Sequence, residues 1–315
     1  MAQPTNTFDS YDAVGIREDL SDVITMISPE ETPFYSACKK TKATNTLHEW
    51  QTDTLRSSAT NAHVEGDDTT ADAATATVRL NNRTQIFKNA VSVPDTDEGL
   101  SKAGRARELG YQTLKVAKEQ KLDIEAALFA NNAKVAGSST VARELAGLPA
   151  WLVTNVDSGT GGAVATGDGS DAYTDGTQEA FTQARFDGVM QSIWEQGGKP
   201  DVVYLSAFQM GKALGFVGNN SQRSTIGAAD GKVANLMSVY MTPWGNVEFM
   251  PTRENRARDV FVIQKDMFEV AVLRPTKNVA LAKTGDSTRR QVTTELTLVC
   301  RNEKASGFIA DNTTA

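Results

Sequence analysis

His48 and His63 are the only side chains in this 315-residue chain whose ordinary pKa lies near neutrality, and Cys38 and Cys300 are its only thiols. Nucleophilic catalysis would set a thiol or hydroxyl beside a base, and nothing in the spacing of these four residues demands such a pair. The same four lack the short repeated intervals of a zinc site. His63, Glu65, Asp67, Asp68 and Asp72 could offer oxygens to a weakly held divalent ion. The glycine and closing glutamate of a calcium loop are missing, so the cluster reads as solvated loop charge. Gly159-Thr-Gly161-Gly162-Ala-Val164 has neither the dinucleotide-binding spacing nor the lysine and hydroxyl pair that cradles a phosphate. Arg253, Arg256 and Arg258 make one basic spot and Arg289-Arg290 another. Without interleaved aromatics for base stacking, both read as salt-bridging surface. No pair of carboxylates stands in a context for acid–base chemistry. Neither enzymatic activity nor a cofactor is expected.

The elements that carry these residues are more telling. Leu47–Leu55 and Val78–Val93 are rich in β-branched and aromatic residues and are expected as strands, with Trp50 on the first. Arg56 to Thr77 between them has no apolar period and is threonine-rich and acidic. A two-stranded ribbon of this kind is marginal in water by itself, so a neighbour is expected to cover it. A helix of roughly eight turns is expected over 101–131, with Ser101 as its N-cap. Its apolar stripe would be Leu114, Ala117, Ile124 and Leu128, widened by Leu122 and Phe129, with Lys115, Lys118, Glu119 and Glu125 on the opposite face. Lys102, Arg105 and Arg107 put positive charge at the positive end of the helix dipole, which a neighbour's carboxylates would relieve.

Ile16 to Ile27 has the spacing of a short amphipathic helix, ended by Pro29 and Pro33, and Pro94 to Asp97 reads as a turn. Asn155 to Gln178 has the composition of a flexible insertion. One α/β unit follows: a helix carrying Phe186, Val189, Met190, Ile193 and Trp194, a stop at Gly197-Gly198, a strand over 200–205, and a second helix capped by Ser206. Beyond a glycine-rich bend over 227–231, Met237–Met241 and Val247–Met250 are expected as a hairpin about Trp244-Gly245-Asn246. Asp259–Ile263, Met267–Leu273 and the stretch from Val279 to Ile309 supply further strands.

The length suffices for one large or two smaller domains. A net charge of −7 argues against wrapping nucleic acid through a basic surface. No signal peptide is visible at the amino terminus and no run approaches the roughly 18 apolar residues of a membrane helix. The two cysteines are expected as reduced thiols.

Arg274-Pro-Thr276, Leu281-Ala-Lys-Thr-Gly-Asp286, Glu295-Leu-Thr-Leu298 and Asn302-Glu-Lys-Ala-Ser-Gly307 resemble the closing segment of one family of tailed-phage major capsid proteins, whose fold is that of the Hong Kong 97 phage capsid. The order of elements along the rest of the chain is similar. The resemblance implies an α+β fold with an N-arm over 1–45 and an extended hairpin loop over 46–97. It implies a peripheral domain over 98–150 and 265–315, with the 101–131 helix as its spine, and an axial domain over 151–264. It further implies a major capsid protein of the virion that assembles in the host cytoplasm, through pentamers and hexamers, into an icosahedral head. That head would enclose double-stranded DNA without reading its sequence. Portal and decoration proteins are expected partners. No charged helical segment at the amino terminus would serve as a fused scaffold, so a separate scaffolding protein is expected too.

Intersubunit contacts are expected at Trp50, Asp67, Asp68, Arg105, Arg107, Trp244, Arg289 and Arg290, with the two aspartates meeting Arg105 or Arg107 of a neighbour. Two alternatives stand beside this reading. A tail or decoration subunit would be smaller and dominated by β-structure, and an α/β ligand-binding protein would need more than one βα unit.

Overall fold

Val202-Val-Tyr-Leu205 and Val260-Phe-Val-Ile263 are apolar at every position, the composition of strands covered on both faces. In the computed structural model, which describes residues 31–56, 58–68, 71, 74–100, 107–216 and 239–314, they form the centre of a sheet. They are β6 (Val202–Leu205) and β9 (Val260–Ile263), paired antiparallel. On one side lie β12 (Gly307–Ile309) and β5 (Val156–Asp157); on the other lie β8 (Gly245–Pro251) and β7 (Val239–Thr242). Side chains alternate between faces. Val203, Leu205, Val260 and Val262 meet helix α4 (Gln183–Glu195) through Phe186, Met190 and Ile193. Val202, Tyr204, Phe261 and Ile263 face a second core shared with Phe34, Phe129 and Phe268. Helix α5 (Ala207–Ala213) follows β6, whose parallel neighbour is β8, and the Ser206 hydroxyl caps it by accepting from Gln209 N.

The second sheet has four strands in the order β1-β10-β11-β4: Lys39–Lys42, Phe268–Ala280, Ser287–Cys300 and Gln85–Pro94. One face is packed by helix α3 (Glu108–Phe129), which buries Gln120, Ile124, Leu128 and Phe129. A short helix α1 (Pro33–Ala37) seats Phe34 against Phe129 and Phe268. Gln120 ties helix to sheet. Its amide nitrogen donates to the carbonyls of Phe87 (3.0 Å) and Val292 (3.2 Å), and its oxygen accepts from the Thr294 hydroxyl (3.1 Å). A separate ribbon of β2 (Leu47–Thr52) and β3 (Val78–Arg83) stands beside this core.

Several sequence expectations are corrected. The segment 78–93 is two strands divided at Thr84: β3 stays in the ribbon, while β4 leaves for the larger sheet. Pro94 to Asp97 is no simple turn but leads into helix α2 (Asp95–Gly99), whose Asp95, Asp97 and Glu98 suit the positive end of its dipole. Helix α3 runs for 22 described residues, about six turns. Leu114 is exposed and Glu125 is fully buried, the reverse of the expected faces, because polar Gln120 and Glu125 have hydrogen-bond partners waiting in the core. Trp194 is likewise 57% exposed. Residues 155–178 pack tightly: Tyr173 and Ala165 are buried, and a Cβ on Gly159 or Gly176 would sit within 2.4 Å of backbone. The hairpin β7–β8 turns at Pro243-Trp244. Residues 307–309, expected with the peripheral segment, pair with β5 and β9. The 16–27 helix, Ser101, Lys102, Arg105 and the 227–231 bend lie outside the described residues.

Candidate functional site

At its base the ribbon is held to the body. Trp50 of β2 is 5% exposed and packs against Trp151 with ring centroids 5.3 Å apart and the rings tilted by 47°, while Leu80 of β3 packs on the same core. Successive residues of β3 are gripped from opposite faces. Asn82, fully buried, donates to Leu298 O (2.8 Å) and accepts from Ala146 N (3.0 Å). Asn81 receives the Lys134 ammonium. Just beyond, Thr84 donates to Glu295 (2.8 Å), whose carboxylate also pairs with Arg143 and Arg274, both at 2.7 Å. Between Thr52 and Val78 the described residues are exposed: Leu55 is 99% and Val64 81% exposed, beside exposed Glu65, Asp67 and Asp68.

A groove of about 470 Å³ opens where α2, the start of α3 and the far ends of β10 and β11 meet. It is lined by apolar Leu109 and Leu114 with Gly110, and by charged Arg107, Arg290 and Glu98. Glu98 caps α3 by accepting from Leu109 N (3.0 Å). Arg107 and Arg290 make no ion pair among the described residues. The groove therefore joins apolar surface to two cations, chemistry that suits an apolar side chain flanked by carboxylates.

The face of the four-stranded sheet away from α3 is open towards the outer ends of β10 and β11, whereas Glu295, Thr297 and Val299 farther along that face are buried. Lys277, Thr293 and Lys88 lie in one row across three strands, and Val279, Gln291 and Ala90 in the next. Arg289 belongs to this face, whereas its neighbour Arg290 points into the groove.

Two buried carboxylates are electrostatically unusual. Glu125 accepts from the backbone nitrogens of Phe34 (2.9 Å) and Tyr35 (2.7 Å), pinning α1 to α3. Burial pushes its pKa up to about 6, against the lowering pull of those two bonds and of Lys40. Asp259 is raised to about 7 by burial, with Arg256 opposing it at 3.3 Å. Its neighbours Arg256 and Arg258 are shared with Asp175 and Asp311. Both cysteine thiols are free and buried, and burial raises Cys38 to about 12. Among the described residues no three His, Cys, Asp or Glu side chains converge as metal ligands, and no helix is long and apolar enough to cross a membrane.

The expected contact residues thus divide. Asp67 and Asp68 are exposed near the ribbon's tip, Arg107 and Arg290 line the groove, and Arg289 stands on the open sheet face. Trp244 is half-buried against the core beneath α4 and α5. Trp50 is corrected: it is a core side chain of its own subunit, because the base of the ribbon, unlike its tip, is covered by Trp151. Arg105 and Asp72 lie outside the described residues. Sequence reasoning missed the exposed apolar set Leu55, Val64 and Leu114; the signal for Leu55 and Val64 was a lone apolar residue inside a polar loop.

A family model described as SU10 major capsid protein matches residues 3–313. A major capsid protein of Escherichia phage Phieco32 is 41% identical over 135 residues, which span 42% of this chain and 38% of that protein. Three solved structures overlay nearly the whole chain. The cyanophage A-1(L) capsid asymmetric unit has a TM-score of 0.64 at 13% identity, covering 98% of this chain and 99% of its own. Mycobacterium phage Cain gives 0.61 at 12% identity, covering 98% and 100%. The capsid of a native GTA particle gives 0.62 at 8% identity, covering 96% and 98%. At these identities the likeness is one of fold.

Proposed function

The chain belongs to the SU10 major capsid protein family, and we propose that its copies join into a closed shell when the ribbon tip of one docks in the groove of the next. The fold is the Hong Kong 97-like capsid fold, and the protein is a structural component of the virion. The observation that carries the docking is the match between two uncovered surfaces. Val64 stands exposed among Glu65, Asp67 and Asp68, and the groove offers Leu109 and Leu114 together with Arg107 and Arg290. One surface sits on the ribbon and the other on the body, so the contact is heterologous and repeats from copy to copy. Five- and six-membered rings of such contacts close a shell around DNA, which the chain's net charge of −7 keeps from binding tightly to the wall.

In this reading residues 1–45 are the N-arm and 46–97 the extended loop. The four-stranded sheet with α3 is the peripheral part, and the six-stranded sheet, β12 included, is the axial part. Assembly takes place in the host cytoplasm with a separate scaffolding protein, a portal at one vertex and decoration proteins outside. No catalytic step is assigned to any residue.

Reversing the charge of Asp67 and Asp68 to lysine tests the contact. A single exposed ion pair contributes about 0.2–1 kcal/mol, but the loss recurs at every subunit. Shell yield by electron microscopy and sedimentation is expected to fall at least severalfold, and Arg107→Glu with Arg290→Glu in the same chain is expected to restore it. Failure of that rescue would overturn the pairing.

A further inference from the structure

Lys134 follows α3 and reaches two different segments. Its ammonium donates to Asn81 Oδ1 (2.9 Å), to the Asn81 carbonyl (3.2 Å) and to the Asp168 carbonyl (2.7 Å). An ammonium has three donors, and here each has its own acceptor. All three acceptors are neutral, so this lysine is a geometric bracket rather than half of an ion pair. Its backbone is fixed as well, since Lys134 N donates to Gly169 O at 2.8 Å. Gly169 itself lies against Trp151, where a Cβ would meet the indole at 2.8 Å.

The bracket grips β3 on the face opposite Asn82. The apolar contact of Trp50 with Trp151 is non-directional and allows rocking. Directional bonds on both faces of one strand remove that freedom. Between the paired ends Thr52 and Val78 the chain is long enough for a lever arm of up to about 40 Å, at ~3.3 Å per residue out and back. A 10° rotation at the base would carry such a tip about 7 Å, farther than the reach of a hydrogen bond.

We propose that Lys134 is the positioning residue that sets the angle at which the ribbon leaves the subunit, and through that angle the curvature and diameter of the shell. The second half rests on the docking described under the proposed function; the first half stands on the isolated chain.

Two readouts separate them. In the unassembled chain, spin labels at Asp67→Cys and Glu195→Cys report the ribbon's spread, since both sites are exposed and the native thiols are buried. Lys134→Met is expected to leave the melting temperature within a few degrees and at least double the width of the distance distribution. An unchanged width would overturn the proposal. Should Lys134→Met not fold, Asn81→Ala, which removes only the 2.9 Å bond, decides by the same criterion. In assembled particles, Lys134→Met is expected to broaden or shift the shell diameters. Broadened distances with wild-type diameters would overturn the link to curvature and keep the bracket. A wild-type chain that forms no shell with its scaffold would sink the docking reading instead.

Discussion

Replacing Glu125 by glutamine probes how the amino-terminal helix is fastened to α3. The carboxylate is fully buried and accepts both Phe34 N and Tyr35 N, so burial and hydrogen bonding oppose each other there. Burial wins, raising the pKa from 4.5 to about 6, a difference worth about 2 kcal/mol. Because the folded value lies above the unfolded one, the proton stabilises the fold. That contribution is complete below pH 4.5 and is lost as pH rises through about 6. Between pH 7.5 and pH 5 roughly 1 kcal/mol of it returns. Glutamine cannot titrate and keeps one acceptor oxygen, leaving one buried N–H without its partner at a cost of about 1–3 kcal/mol at every pH. Urea unfolding of the unassembled chain at the two pH values gives the test. Because the amide also avoids the roughly 2 kcal/mol penalty of the buried charge, the variant should lie within about 1 kcal/mol of wild type at pH 7.5 and fall further behind at pH 5. An equal pH dependence in both proteins would refute the assignment of that proton to Glu125.

Other perturbations have equally definite outcomes. Trp50→Ala should cost about 3–5 kcal/mol of folding stability in the unassembled chain, measured by urea, as expected of a core aromatic rather than a surface contact. Asp259 is raised to about 7 from 3.8, so the stability its proton confers is lost as pH climbs through 7. Asp259→Asn should therefore flatten the decline in thermal stability between pH 6 and pH 8; an unaltered decline would place the proton elsewhere.

The sequence was most legible where local chemistry alone decides the structure. Ser206 as an N-cap, Gly197 with its φ of 85° at the end of α4, and the all-apolar strands β6 and β9 each follow from a few adjacent residues. Partners far apart in sequence hid the rest. The buried face of α3 holds Gln120 and Glu125, which look solvated until β4, β11 and α1 supply their hydrogen bonds. Glycine-rich 155–178 has the composition of a mobile loop, yet Gly159 and Gly162 are needed there because a Cβ on either would collide with Asp311. Trp50 and Val64 lie on one arm, and only Trp50 stands out in the sequence as a contact residue. Only the position of Trp151, a hundred residues later, buries the first and leaves the second bare. Among the contact candidates, charges at Asp67, Asp68, Arg107 and Arg290 were readable, whereas the groove joining the last two needs the register of β10 and β11.

Cryo-electron microscopy of particles formed by the chain tests the central claim most directly. Closed shells are predicted in which density for residues 60–68 of one subunit fills the groove between Arg107 and Arg290 of the next. Shells in which that groove is empty, with the ribbon tip resting elsewhere, would contradict the account.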